Sequence, residues 1–244
     1  MSGAVAIVPA AGSGSRVGAR HPKQYLALAG TPLLVLTLRA LLGSTAIEGV
    51  VLAVPLDRVQ MTRRLLARYE VPRVLAVVAG GDERQSSVRR ALDAVPAEAE
   101  LIVVHDAVRP FITRDLVDRV LAAAREHGAA TCGIEVRETV KRVSDRAVEA
   151  TLDRNGLWLT QTPQAFRRSV LREAHDKAQF DGFRGTDDAV LVERLGGRVI
   201  MVPGLPENLK ITTVQDLGAA RRWLGGRATA GRARTAGRAG AARG

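Results

Sequence analysis

Short, solidly apolar runs alternate with amphipathic ones along the first half of the chain. "AVAIVPA" (4–10), "IEGVVLAVP" (47–55), "RVLAVVAG" (73–80) and "ELIVVHDA" (100–107) read as strands buried on both faces. Between and after them, "LLVLTLRALL" (33–42), "DRVQMTRRLLARY" (57–69), "ERQSSVRRALDAV" (83–95) and "TRDLVDRVLAAAREHG" (113–128) read as helices, the last ending on Gly128. That order predicts an α/β fold with a mostly parallel central sheet and helices on both faces. Ligands of such sheets bind beyond the carboxyl ends of the strands, so residues 9–23, 80–87 and 105–110 are where chemistry is expected.

The second half reads differently. Residues 130–166 alternate apolar and polar side chains and carry turn signals at Ser144-Asp145 and Asn155-Gly156, which predicts strands and a projecting hairpin near 134–157. Helices near 167–178, 186–196 and 213–224 and a strand at 198–202 complete the pattern. Asp187 and Asp188, following Thr186, read as helix-capping residues. With no internal repeat and no linker before residue 225, a single domain over 1–224 is expected.

Composition excludes several classes. With 3% aromatics, aliphatic side chains must fill the core, and a nucleic-acid binder reading bases by stacking is disfavoured. Cys132 is the only cysteine, which leaves no intramolecular disulfide framework and no thiolate cluster for zinc. No apolar run approaches the roughly 18 residues of a membrane span, and nothing at the start reads as a signal peptide, so a cytoplasmic enzyme with no membrane partner is expected. The net charge is +11, and without the five arginines of residues 225–244 it is +6. That Arg/Gly/Ala tail has no apolar period and is expected to be disordered and solvated, its alternative role being an accessory contact with nucleic acid.

The segment "VPAAGSGSRVGARHPKQYL" follows the first strand. It is not a P-loop, because no Lys-Ser/Thr pair closes it. A dinucleotide fingerprint fits poorly: the third glycine is one place late, Pro22 stands where the helix should run, and the acid that could hold a ribose, Asp57, lies past a proline and about 45 residues on rather than about 20. What remains is a long loop in which backbone N–H groups can cradle phosphates, with Pro9, Ala10, Ala11, Gly12, Ser13 and Gly14 as the candidate nucleotide-binding stretch. Arg16 can bridge two phosphate oxygens, and Lys23 adds a movable point charge. None of the four histidines sits in a triad-like or metal-ligand pattern.

Taken in order, "VPAAGSGSRVGARHPKQYL", "GGDERQSSV", "VHDAVRP", "LDRNGLW", "TPQAF" and "PENLKIT" resemble the successive signatures of the 2-C-methyl-D-erythritol 4-phosphate cytidylyltransferases, from about residue 4 to residue 224. The resemblance implies a Rossmann-like nucleotidyltransferase fold. It also implies transfer of a cytidylyl group from CTP to methylerythritol phosphate, and a homodimer that exchanges a β-arm. Both reactants are anions, so the site must align them and neutralise charge growing on the α-phosphoryl oxygens. A phosphate nucleophile is ionised at pH 7 and needs no general base.

Within that resemblance, Arg16 and Lys23 stabilise the α-phosphorus and the leaving pyrophosphate. Asp82 and Ser87 lie near the base and ribose, with Gly81 letting the backbone approach. Lys210 and Arg154 position the second substrate, part of this set arriving from the partner's arm. Arg109 can also bind its phosphate, and Thr139 and Thr162 can supply hydroxyls. Asp106, at the end of a strand, is the expected Mg²⁺ ligand, since this ion commonly takes one or two carboxylates with phosphates and water. A cytidylyltransferase for another polyol phosphate, such as ribitol 5-phosphate, shares most of these signatures and stays open at this point.

Overall fold

The computed structural model describes residues 3–12 and 22–224. Ser13, Gly14 and Arg16 of the candidate loop, and the tail 225–244, lie outside the described residues.

The central sheet is built from β1 (Ala4–Pro9), β4 (Ile47–Val54), β5 (Val74–Ala79), β6 (Leu101–Val104), β7 (Ala129–Glu135), β10 (Trp158–Arg167) and β11 (Ile200–Pro203). Its seven strands lie in the order β11-β7-β10-β6-β1-β4-β5. β6, β1, β4 and β5 are parallel neighbours, as the solid apolar runs predict, and β11 is parallel to β7. β10 runs antiparallel between β6 and β7, so the sheet is mixed, with an antiparallel strand inside it. A short separate ribbon pairs β2 (Ala27–Leu28) with β3 (Thr31–Pro32), where the sequence shows no strand signal.

Alternation along the strands puts one set of side chains on each face. Ala4, Ala6 and Val8 of β1 join one apolar cluster, and Val5 and Ile7 join the other. The first is covered by α1 (Leu33–Leu41), α2 (Val59–Arg68) and α4 (Arg114–His127), through Leu38, Leu66 and Val120 among others. The second is covered by α3 (Arg84–Asp93), α5 (Arg168–Phe180) and α6 (Ala189–Arg194), through Leu92, Leu171 and Leu191. Strands covered on both faces must be apolar throughout, which is why β1, β4 and β6 read as continuous runs rather than alternating ones. Gly128 ends α4 with φ of +93°, a conformation L side chains rarely adopt. A third cluster packs Leu28, Leu33, Val108, Phe111 and Ile211 against the helical residues 214–224.

The predicted hairpin is present. β8 (Val140–Ser144) and β9 (Ala147–Leu152) pair antiparallel with each other and with no other strand among the described residues. Both residues of its turn, Asp145 and Arg146, have positive φ.

Candidate active site

The strand order fixes where a ligand fits. From β1 the chain steps outward to β4 and β5, then returns to place β6 on the other side of β1. Beyond the carboxyl ends of these strands the loops leaving β1 and β6 lead to α1 and α4 on one face, whereas the loop leaving β5 leads to α3 on the other, and a crevice opens among them where the strand order reverses. A cavity of about 220 Å³ lies there, lined by Pro9, Ala10, Ala11, Gly12, Lys23, Gln24, Gly81, Asp82, Glu83, Arg84, Ser87, Asp106, Ala107, Val108 and Lys210. Residues as far apart in the chain as Pro9 and Lys210 thus share one small space.

Each wall has a local cause. Behind β1, Gln24 is buried, and its Nε2 donates to the carbonyls of Ala10 (2.5 Å) and Gly12 (3.4 Å). This clamps the 3₁₀ turn Lys23–Tyr25 onto the start of the glycine loop and fixes where Lys23 emerges. Behind β5, Gly80 and Gly81 permit close packing. A Cβ on Gly80 would stand 2.4 Å from Ala11 Cβ, and one on Gly81 2.2 Å from Ser86 Oγ. Helix α3 opens with a capping box between Glu83 and Ser86. Ser87 is buried, accepts from Gly81 N–H at 3.1 Å and donates to Glu83 C=O at 2.9 Å, which folds the loop over the crevice. Asp82 stays exposed at the rim.

The floor is an ion cluster around Asp106, which is only 6% exposed. Its carboxylate meets Lys210 Nζ at 3.0 Å, Arg109 Nε at 3.1 Å and Arg84 Nε at 3.5 Å. Burial alone would raise the Asp106 pKa, but the cations Arg84, Lys210 and Arg109 hold it well below the usual carboxylate range. Arg84 in turn donates Nη1 to Asp188 at 2.6 Å, and His175 Nε2 lies 3.0 Å from the other Asp188 oxygen. Burial penalises the charge on Arg84, yet Asp188 and Asp106 together push its pKa up.

The Asp106 backbone is pinned as well. Its N–H donates to Thr162 Oγ1 at 3.1 Å, and the Thr162 hydroxyl lies 3.0 Å from His105 Nδ1. His105 Nε2 is 3.1 Å from the Arg109 carbonyl. A carbonyl can only accept, so Nε2 carries the proton and Nδ1 accepts from the hydroxyl. Burial lowers the His105 pKa to about 4, which keeps that ring neutral. Arg109 also donates Nη1 to the Asn208 carbonyl at 2.7 Å, and the Asn208 amide donates to the Thr162 carbonyl at 2.8 Å. The loop that carries Lys210 is thereby tied to the end of β6.

The structure gathers most of the sequence-predicted residues and separates a few. Pro9, Ala10, Ala11, Gly12, Lys23, Gly81, Asp82, Ser87, Asp106 and Lys210 line the crevice. Arg109 and Thr162 stand behind Asp106, buried, with their polar atoms engaged as described. Thr139 and Arg154 lie exposed at the arm, where Arg154 Nη1 donates to the Arg137 carbonyl. Arg154 lines a separate hollow with Glu135, Arg137 and Asn155. Two residues that sequence reading missed are Arg84 and Asp188. The capping role read for the aspartate pair belongs to Asp187, which accepts from Val190 N–H at 3.0 Å, while Asp188 makes no cap bond and turns inward to Arg84.

A sequence model of the 2-C-methyl-D-erythritol 4-phosphate cytidylyltransferase family matches residues 4–225. A relative with that description from Syntrophus aciditrophicus is 47% identical over 222 residues, covering 90% of this chain and 95% of its own. One from Geobacter metallireducens is 44% identical over 223 residues, covering 90% and 96%. The crystal structure of the 2-C-methyl-D-erythritol 4-phosphate cytidylyltransferase from Thermus thermophilus superposes with a TM-score of 0.75 at 36% identity, covering 91% of this chain and 98% of that one. A 4-diphosphocytidyl-2C-methyl-D-erythritol synthase from Anaerococcus prevotii superposes with a TM-score of 0.80 at 29% identity, again covering 91% and 98%. The family model and these relatives span nearly the whole folded chain, and by that extent of match the chain belongs to the 2-C-methyl-D-erythritol 4-phosphate cytidylyltransferase family.

Proposed function

We propose that the crevice between the loops after β1, β5 and β6 is where this nucleotidyltransferase moves a cytidylyl group from CTP to 2-C-methyl-D-erythritol 4-phosphate, releasing pyrophosphate and 4-diphosphocytidyl-2-C-methyl-D-erythritol. The observation that carries this placement is the meeting of Lys23, Lys210 and the ion cluster of Asp106 in one cavity at the switch point of the sheet.

The nucleotide triphosphate lies along the loop that begins at Ala10, its phosphates facing backbone N–H groups and Lys23, with Arg16 completing the cradle. Segment 80–87 faces the cytosine and ribose. An oxygen of the methylerythritol phosphate attacks the α-phosphorus in line, and the bond to the β-phosphate oxygen breaks. No proton needs to be removed from an ionised phosphate, and the neutral, fully hydrogen-bonded His105 fits a site without a general base. Lys23 meets charge on the leaving pyrophosphate, and Lys210 holds the incoming phosphate. Such pre-positioned cations act where charge develops, at no reorganisation cost during the step.

A divalent cation fits the donor set. Asp106 supplies one buried, ionised carboxylate, and no group of three His, Cys, Asp or Glu is assembled for a metal among the described residues. Mg²⁺ held chiefly by phosphate oxygens and water suits that arrangement. When bound, it would neutralise triphosphate charge and orient the α-phosphoryl group. Asp106 would hold it, and Arg84 and Arg109 would keep the carboxylate aimed.

The working unit is a homodimer in the cytoplasm, formed by the arm. Val143 and Val148 of the hairpin are 54% and 61% exposed, and Leu159 at its base is 58% exposed. A two-stranded hairpin is marginal in water by itself, so these side chains suit a partner subunit. Arg154 and Thr139 then serve the partner's crevice. No helix among the described residues is long and apolar enough to cross a membrane.

Pyrophosphate release with CTP and a panel of polyol phosphates tests the reading. Methylerythritol phosphate should turn over, while ribitol 5-phosphate should be slower by orders of magnitude. Equal rates with both would overturn the substrate assignment. Catalytic efficiency with ATP, GTP or UTP should fall far below that with CTP, because a mismatched base leaves polar groups of the pocket unpaired.

A further inference from the structure

At the opposite end of the sheet lies a second concavity, of about 740 Å³, lined by Arg125, Arg167, Arg168, Arg172, Ser169 and Glu100 together with Ala97, Ala99 and Leu101. Arg167 pairs with Leu101 across β10 and β6, at the amino end of β6, whereas Asp106 lies beyond its carboxyl end. At about 3.3 Å per residue the two sites are on the order of 16 Å apart along the strand.

Three of the four guanidinium groups are held in place by main-chain carbonyls. Arg167 Nη2 donates to the carbonyls of Arg125 (2.9 Å) and Glu126 (3.3 Å). Arg168 Nη1 donates to Ala97 C=O at 3.1 Å, and its Nε is buried without a partner. Arg172 Nη2 donates to Leu92 C=O at 3.2 Å. A carbonyl fixes a guanidinium without cancelling its charge. Among the described residues only Arg172 of the four meets a carboxylate, that of Asp93, which also pairs with Arg89. Glu100 is the one acid in the lining, and Arg125 makes no side-chain bond among the described residues. Helix α5 begins at Arg168 with no side-chain cap and no acid in its first turn, so its positive end adds to the same field.

Rigid cations in excess over anions, in a basin of small-ligand size, are what a polyanion needs. No aromatic ring lines the basin, so nothing in it would stack on a base. We propose that this basin is a second anion site that binds a diphosphate group, separate from the catalytic crevice. Both an inorganic diphosphate and a diphosphate ester carry that chemistry.

The test is calorimetric titration of the full chain with inorganic pyrophosphate, and in a second arm with ADP. A Lys23→Met/Lys210→Met chain, weakened in the crevice, should still bind one equivalent of pyrophosphate. Adding Arg168→Gln and Arg172→Gln should weaken that event by at least tenfold, since each lost charge-assisted pair is worth about that much or more. Because Arg168 and Arg172 also brace α5, Arg125→Glu serves as the control: an exposed residue with no side-chain bond, whose reversal should weaken binding comparably while leaving the melting temperature and CTP turnover unchanged. Binding of ADP as well would show that the site accepts esters; binding of pyrophosphate alone would restrict it to the free ion. Loss of all pyrophosphate binding in the crevice variant, or residual binding indifferent to Arg125→Glu, would overturn the proposal.

Discussion

The crevice floor and the β8–β9 arm carry charged and apolar side chains in opposite states. At the floor, Asp106 and Asp188 are buried and met by Arg84, Arg109, Lys210 and His175 from four separate parts of the chain. In the arm, two strands pair only with each other among the described residues, and Val143 and Val148 face outward. At the floor each buried carboxylate is met by cations of the same chain, although Arg84 Nη2 and His175 Nδ1 are buried without a hydrogen-bond partner; the arm presents apolar surface that the chain leaves uncovered. Pre-organisation belongs where charge must be stabilised at once, and unsatisfied apolar surface belongs where a partner will cover it. Variants in the two regions should therefore fail in different ways.

Lys23→Met should show the largest effect. Removing one pre-positioned cation from the proposed nucleotide site should lower turnover by about 100-fold or more, while the melting temperature hardly moves. Retained turnover, or activity lost only through unfolding, would take Lys23 out of the chemistry.

The arm predicts loss that can be repaired. Arg154→Ala should be inactive as a homodimer if its guanidinium serves the partner's crevice. Mixed with Lys23→Met under subunit exchange, half the dimers are hybrids, each with one site holding both residues and one holding neither. Random mixing of a two-fold dimer gives recovery to about a quarter of wild type. Proven exchange without recovery would mean that Arg154 serves its own subunit.

How much of this was legible in sequence follows from how local each feature is. β1, β4 and β6 announce themselves because burial on both faces demands unbroken apolar runs. Lys23, Asp106 and Lys210 stand in contiguous motifs at strand ends. Arg84 and Asp188 could not be paired by inspection, since 104 residues separate them and only the tertiary fold sets the residue before α6 beside the first residue of α3. Asp188 was masked by its neighbour: Asp187 does cap, and nothing in "TDDA" says which carboxylate turns inward. β10 was similarly opaque. Its first three residues are exposed or half-buried and the next six are buried, so one strand reads partly as arm and partly as core.

Asp188 also gives a stability test. Asp188→Asn keeps the shape but leaves the Arg84 guanidinium without its closest counter-charge. Breaking a buried pair on one side costs about 3 kcal/mol. Burial opposes ionisation of Asp188, but Arg84 and His175 hold its pKa below the ordinary value. A carboxyl depressed in the folded state stabilises above its unfolded pKa, and that gain disappears as pH falls through the folded pKa. The gap between wild type and Asp188→Asn in denaturant unfolding should therefore be widest near neutral pH and close in acid. A gap independent of pH would mean that packing, not charge, is what Asp188 supplies.

The smallest effect concerns the arm's turn. Arg146 has φ of +66° directly after Asp145 at +47°, a pair of left-handed residues that two-residue hairpins favour as Asp-Gly. An arginine there carries strain that glycine lacks, though glycine adds freedom to the unfolded chain. Arg146→Gly should net a stabilisation of less than about 1 kcal/mol, confined to the hairpin. Amide exchange over 140–152 should slow by a few-fold, while the melting temperature and turnover stay at wild-type values. Faster exchange would mean that Arg146 contributes more than a turn. A rise of several degrees in melting temperature would mean that the arm unfolds together with the core, and the contrast between a charge-paired floor and a separable arm would fail.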